Sequence, residues 1–338
     1  MQHKIQKKNN FFNKEMRMNI NDDKKKLYIL GGLALLVICL FLFQGLTPKN
    51  YAYNLSRRIP KVIAICLTGG AIAFSSTIFQ TVTNNRILTP SILGLDSLYN
   101  FAQTISIFAF GVDSIMMTNK QVNFFVSASM MLLGSIILYK CVFSRGNNVF
   151  VLLLVGTVVG TFFKSLSSFM SVLIDPNDFI VLQGKMFASF NNVNTDIIYI
   201  VIAILVIIGF VMYKDFNKLD VMLLGRENAI NLGVNHDKLS QKILLIVAIL
   251  VSVSTALVGP ITFLGLLVVN LSYHLFSTYK HSYVIAGSIL MSIIALIGGQ
   301  FIVERILNFS TTVSIIINFI GGIYFIYILI KEGKKVNK

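Results

Sequence analysis

The sequence predicts an all-α, polytopic membrane protein with about ten transmembrane helices. Three observations predict it. Hydrophobic residues make up 55% of the 338 positions and charged residues only 13%, against roughly 25% charged in a soluble domain. Several apolar runs exceed the roughly 18 near-uncharged residues that a spanning helix requires. Charge is held mostly in tails and loops, and a soluble core of this apolarity would aggregate.

Taken in order, the runs fall at 27–46, 61–82, 91–111, 122–143, 149–174, 196–213, 242–258, 261–278, 282–304 and 312–330. The first follows a basic segment in the manner of a signal peptide. Its apolar core is long, however, and GLTPKN is a poor cleavage site, so it reads as an uncleaved first helix. The eighth is the weakest, because Gly259-Pro260 interrupts it and Gly265 follows. Such breaks are tolerated at membrane depth where the freed backbone is buried in protein or lines a cavity. Pro90-SILGL and Pro260-ITFLGL form a faint internal echo, of the kind that repeats leave in transporters.

The net charge is +15. In a soluble protein that excess would point to nucleic acid. Here segment 1–26 and segment 333–338 are basic tails beside apolar runs, as the positive-inside rule expects of cytoplasmic flanks. Nucleic acid is therefore not an expected partner, membrane lipid is, and both termini are expected in the cytoplasm of a multi-pass cell-membrane protein. Segment 1–26 reads as a disordered tail and 27–332 as the transmembrane domain. The same polarity puts Arg86, Lys140, Arg145 and Lys280 inside and the loop 175–195 outside. One segment runs against it: Lys49, Arg57, Arg58 and Lys61 fall outside.

Some chemistry is excluded. No G-x-x-x-x-G-K-[ST] loop occurs, so ATP is not expected on this chain. His3, His236, His274 and His281 are dispersed, and Cys39, Cys66 and Cys141 lack metal-ligand spacing and read as buried apolar thiols. No nucleophile elbow is present. A membrane enzyme is disfavoured. A secondary transporter would need acidic residues at the midplane, whereas Asp96 and Glu304 lie near span ends, Asp96 as a helix-end cap.

Motifs then carry a resemblance. R-I-P-K-V-I-A-I at 58–65, G-G-A-I-A-F-S-S-T-I-F-Q at 69–80 and N-R-I-L-T-P-S-I-L-G-L at 85–95 stand in order. L-G-R-E-N-A-I-N-L-G-V at 224–234 and G-P-I-T-F-L-G-L-L-V-V-N-L at 259–271 follow them. Together they resemble the permease subunits of iron–siderophore and cobalamin ABC importers, over about residues 50 to 332. Arg86 stands where that family usually has Pro, Ser91 where it has Gly, and Val269-Asn270 where it has Pro-His. The last change resembles a subgroup serving catecholate-type siderophores. The resemblance implies a ten-helix subunit that pairs with a second permease chain, as a homo- or heterodimer. Two ATP-binding cassette ATPases would carry the ATP and Mg, a substrate-binding protein would dock on the outer face, and this chain would hold no cofactor or metal. It would pass an iron(III)–siderophore complex, or alternatively cobalamin or haem, into the cytoplasm.

Three groups of residues follow. Within a coupling segment at 217–240, Gly225, Arg226, Glu227, Asn228, Ala229, Leu232 and Gly233 would form two short helices seated on the ATPase; the bland alternative is a solvated loop. Arg58, Lys61 and Arg305 match positions that meet the binding protein, or else anchor helix ends at the headgroups. Gly156, Gly160, Lys164, Ser168 and Ser171 share one helical face of the fifth run. That face either lines the translocation path or packs on a neighbour through its glycines, and Lys164 either meets an anionic complex or snorkels outward.

Overall fold

A computed structural model of the chain describes residues 21–48, 50–143, 149–191 and 193–330. Among them every regular element is helical. In chain order these are α1 (Asn21–Phe43), α2 (Tyr51–Thr83), a single 3-10 turn (Pro90–Leu93), α3 (Leu95–Phe110), α4 (Ile115–Thr118) and α5 (Lys120–Phe143). Then come α6 (Val149–Leu173), α7 (Pro176–Lys185), α8 (Thr195–Tyr213), α9 (Phe216–Met222) and α10 (Arg226–Asn231). The chain continues through α11 (His236–Val258), α12 (Leu264–Leu275), α13 (His281–Arg305) and α14 (Val313–Ile330).

Eight of these are long and apolar enough to cross a bilayer: α1, α2, α5, α6, α8, α11, α13 and α14. The other two predicted spans become the shorter helices α3 and α12, of 16 and 12 residues. At 1.5 Å per residue α12 extends only about 18 Å, short of the ~30 Å hydrocarbon core. Both are shortened for the same reason. Each is preceded by a break with a positive-φ glycine, Gly94 at 79° and Gly259 at 105°. Gly259, Pro260 and Ile261 are buried, and Ser189 N–H donates to the Val258 carbonyl at 2.8 Å. The irregular backbone is thus wrapped in protein, as membrane depth demands. The two breaks, which are the two halves of the internal echo, also touch each other. Thr262 Oγ1 donates to Asp96 Oδ2 at 3.1 Å, so Asp96 ties α3 to the approach of α12 rather than only capping its own helix.

Helices α2 and α11 are the most enclosed and form the middle of the bundle, with α5, α12 and α13 packed around them. Small residues allow the close approach. A Cβ on Gly69 of α2 would stand 2.7 Å from Ser292 Oγ of α13, and one on Gly265 would collide with Ser76 Oγ. Helix α6 lies at the side and packs chiefly on α3 and the 3-10 turn.

Several expectations are corrected. Of segment 1–26, residues 1–20 lie outside the described residues, and 21–26 already belong to α1 rather than to a disordered tail. Asp23 is buried and accepts from Ser277 N–H at 3.1 Å, while Lys26 Nζ donates to the Leu275 carbonyl at 2.8 Å. The segment is ordered because it is tied to the turn after α12. Lys49, Arg145 and 333–338 lie outside the described residues. The loop 175–195 contains α7, started by Pro176 and by Asp175 accepting from Asn177 N–H at 2.9 Å. Cys39 and Cys141 are exposed on helix faces rather than buried, and none of the three cysteines forms a disulfide.

Gly160→Ala is expected to destabilise the protein by about 1–3 kcal/mol, since its Cβ would fall 2.9 Å from Gly94 Cα, where only backbone can yield. Gly298→Ala, which meets open space, is expected to be neutral or stabilising. Thermal unfolding of the two purified variants in detergent checks the contrast.

Candidate functional site

The residues singled out by sequence gather at two ends of the bundle and along one side. At the first end the chain leaves α8, turns through α9 and α10, and re-enters along α11. Gly225 (φ 89°) and Gly233 (φ 83°) bracket α10, and both occupy the left-handed region that glycine tolerates without strain. The expected pair of short helices is therefore present, but only α10 lies within 225–234; its companion α9 precedes it. Ala229 is fully buried, while Leu224, Ile230 and Leu232 are about half exposed, at 55%, 48% and 62%. Glu227 is exposed in the first turn of α10, where the helix dipole favours a carboxylate. Arg226 pairs with Asp237 at 3.2 Å, and Asn228 Nδ2 donates to the Leu224 carbonyl at 2.8 Å. An open groove of about 580 Å³ beside α10 is lined by Asn84, Val149, Met222, Gly225, Arg226 and His236.

Helix α9 is held by charge at both ends. Asp215 accepts from Lys218 and from Lys242 of α11, each at 2.6 Å. Asp220 accepts from His281 Nδ1 at 2.6 Å and from His281 N–H at 2.8 Å. Burial would raise both carboxyls. For Asp215 the two lysines outweigh it, and for Asp220 the hydrogen bonds from His281 do, with Lys280 adding to them, so both sit below the ordinary carboxylate range. His281, dismissed from sequence as a dispersed loop-edge histidine, is buried and bonded through both ring nitrogens. Nothing in its immediate sequence signals this, because its partners are 61 and 200 residues away.

At the opposite end of α2, Arg58 donates to the carbonyls of Leu42 and Gln44 at 2.8 and 2.9 Å, and Arg305 reaches the Gln44 carbonyl at 3.3 Å. Two guanidiniums thus converge on the turn after α1. Lys61 is differently employed. It forms an ion pair with Glu304 and donates to Asn191 Oδ1 at 3.0 Å, while Gln300 donates to both of those partners. Its side chain is only 13% exposed, so it is not a free cation. Arg57, not singled out by motif, is exposed and lies 5.2 Å above the Tyr53 ring.

The stripe on α6 divides. Gly156 and Gly160 are buried against the 3-10 turn and Gly94, with a Cβ on Gly156 falling 3.0 Å from Leu93 Cα. They are packing glycines. Farther along the same face Lys164 and Ser168 are exposed and Ser171 is half-buried. Ser168 and Ser171 satisfy their hydroxyls on the carbonyls of Lys164 and Ser167, at 3.0 and 2.7 Å.

Residues 29–331 match the FecCD transport family. The chain belongs to that family. It is 59% identical over 313 residues to the petrobactin import system permease protein YclO of Bacillus subtilis, covering 92% of this chain and 99% of that one. It is 35% identical over 277 residues to the petrobactin import system permease protein FatC of Bacillus anthracis, covering 82% and 78%. Its fold matches a metal-chelate type ABC transporter solved in an inward-facing conformation, with a TM-score of 0.80 over 91% of this chain and 99% of that one, at 19% identity.

Within the FecCD fold, two of the departures noted in the motifs face each other. Asn270 Nδ2 donates to the Arg86 carbonyl at 2.9 Å, and the Arg86 guanidinium lies 4.4 Å above the Tyr273 ring. The Asn270 amide thereby ties α12 to the turn that follows α2.

Two outcomes follow. Removing one partner of the Lys61–Glu304 pair leaves the other half-buried without its counter-charge. Lys61→Met and Glu304→Gln should each cost about 2 kcal/mol, and the double variant less than their sum; unfolding midpoints of the three proteins give the coupling. The depressed Asp215 carboxyl contributes stability that is fully present above its unfolded value of about 3.9 and is lost as pH falls through its lower folded value. Hydrogen exchange of α9 should therefore be flat from pH 8 to about 5 after correction for intrinsic rates, and rise only below about pH 4.

Proposed function

We propose that this chain is the membrane permease of an importer that brings iron(III)–siderophore complexes into the cell, with petrobactin as its substrate. The observation that carries the reading is the 59% identity to a petrobactin permease across almost the whole of both chains. A catechol-bearing chelate is retained as the substrate class, in keeping with the Val269-Asn270 departure. Catalysis of bond chemistry is not part of the role. The work is a change of access, driven from outside the chain.

In this reading α10 is the coupling helix. Its turn glycines fix its attitude, Ala229 anchors it to the bundle, and Leu224, Ile230 and Leu232 offer an apolar surface that a pair of ATPase subunits would cover. Glu227 supplies a charge at its start. ATP and Mg belong to those subunits. The α10 end then faces the cytoplasm, together with both termini, and the opposite end faces outward. There Arg57, Arg58 and Arg305 form a cationic rim for an extracytoplasmic binding protein, in place of the expected Arg58, Lys61 and Arg305. Charge at such a rim steers encounter and sets register more than it adds affinity. A second permease chain completes the path, and the exposed part of the α6 face, with Lys164, Ser168 and Ser171, lines it.

Leu232→Asp introduces a charge into the surface assigned to the ATPase. Uptake of radiolabelled ferric petrobactin should fall at least about tenfold, the scale of losing one central apolar contact, with loss of ATPase co-purification and normal membrane abundance. Uptake that persists when the partner ATPase is deleted would instead indicate an ion-driven transporter.

A further inference from the structure

Helix α2 reaches from one end of the bundle to the other. Its 33 residues extend about 50 Å, with Arg57, Arg58 and Lys61 near its start and Thr81 in its last turn. At that last turn a polar chain crosses three elements. Thr81 Oγ1 lies 2.7 Å from His281 Nε2 at the start of α13. The other ring nitrogen, Nδ1, lies 2.6 Å from Asp220 Oδ1 on α9. Thr81 and His281 are 2% and 1% exposed. The Asp220 carboxylate fixes the ring by accepting a hydrogen bond from Nδ1–H, which leaves Nε2 to face the hydroxyl. Asp220 stands six residues before the first residue of α10, and the other end of α9 is tied to α11 through Asp215 and Lys242.

Apolar contacts between helices are non-directional and permit sliding. Short, buried hydrogen bonds fix register, and in a low-dielectric interior an unmade one is costly. Around Thr81 the neighbouring polar groups are the Thr77 carbonyl at 3.0 Å and the Tyr273 hydroxyl. The hydroxyl therefore has an alternative acceptor within its own helix, and its contact with His281 is not needed to satisfy it. The contact adds a connection between elements.

We propose that Thr81, His281 and Asp220 form the mechanical joint through which movement of α9 and α10 is delivered to α2, and along α2 to the outer rim. They are positioning residues for transport. This inference rests on the reading of α10 as the ATPase-coupling helix, and it names the path by which that helix acts on the bundle.

The test uses the complete transporter, with both permease chains, ATPases and binding protein, in proteoliposomes. ATP hydrolysis is measured with and without binding protein loaded with ferric petrobactin. Thr81→Val removes the hydroxyl without changing side-chain volume, and Thr81→Ser restores it. The valine variant is expected to assemble and hydrolyse ATP at the unstimulated rate, while stimulation and uptake fall about tenfold, the scale of one buried hydrogen bond; the serine variant should keep both. His281→Asn places an amide where Nδ1 lies, keeping Asp220 and losing Thr81. It should match Thr81→Val, and the double variant should be no worse than either. Full stimulation in Thr81→Val, or additive losses in the double variant, would overturn the joint. If Thr81→Val fails to assemble, His281→Asn decides alone, and wild-type stimulation there overturns the proposal. A wild-type complex that shows no stimulation, with uptake surviving loss of the ATPase, would remove the importer reading and the joint with it.

Discussion

Backbone satisfaction inside a bilayer is the constraint on which the rest of the structure depends. Where the chain breaks before α3 and before α12, no water is at hand for the freed amides and carbonyls. The surrounding protein must close over both breaks. That is why Gly94 nests between Gly156 and Gly160, why Gly259 lies against the backbone of Ala188, and why Ser189 pairs with Val258. The bond from Thr262 to Asp96 then locks the two irregular regions together. Small residues in this fold are placed by these close approaches more than by any need for flexibility.

The same economy separates the two ends. Helices α2 and α11 form a stiff middle with little exposed surface, while α9 and α10 are brief and fastened by a few charged contacts. A stiff rod held in its last turn by His281 and near its start by Glu304 and Asn191, through Lys61, has few ways to move except as a unit. Helices joined by directional bonds over a packed core switch between discrete arrangements rather than deforming smoothly.

Much of the architecture was legible in the sequence because hydropathy is a local property. All ten apolar runs became helices, and the Gly-Pro interruption correctly marked one run as irregular. Its partner at Pro90 to Leu95 was less visible, since Ile92, Leu93 and Leu95 keep the run apolar in count while Gly94 breaks it in conformation. Gly225 and Gly233 were readable as turn residues because φ preference travels with the residue type. Lys61 was not readable as a buried partner, nor Arg57 as the exposed cation. Which of several neighbouring basic residues is neutralised depends on Glu304 and Asn191, far away in sequence. His281 failed for the same reason. The α6 stripe was correct as a shared face, but a helical period cannot say which part of that face is covered; Gly94 decides it.

The contact between Asn270 and Arg86 has a consequence for exchanging segments between relatives. Asn270 holds the Arg86 carbonyl while the Arg86 side chain rests on Tyr273, one turn beyond Asn270. The three positions are joined by direct contact. A chimera built by exchanging the segment around 85–95 would keep a backbone carbonyl for Asn270 whatever residue stood at 86, but it would strip the Tyr273 ring of its cation unless 273 moved with the segment.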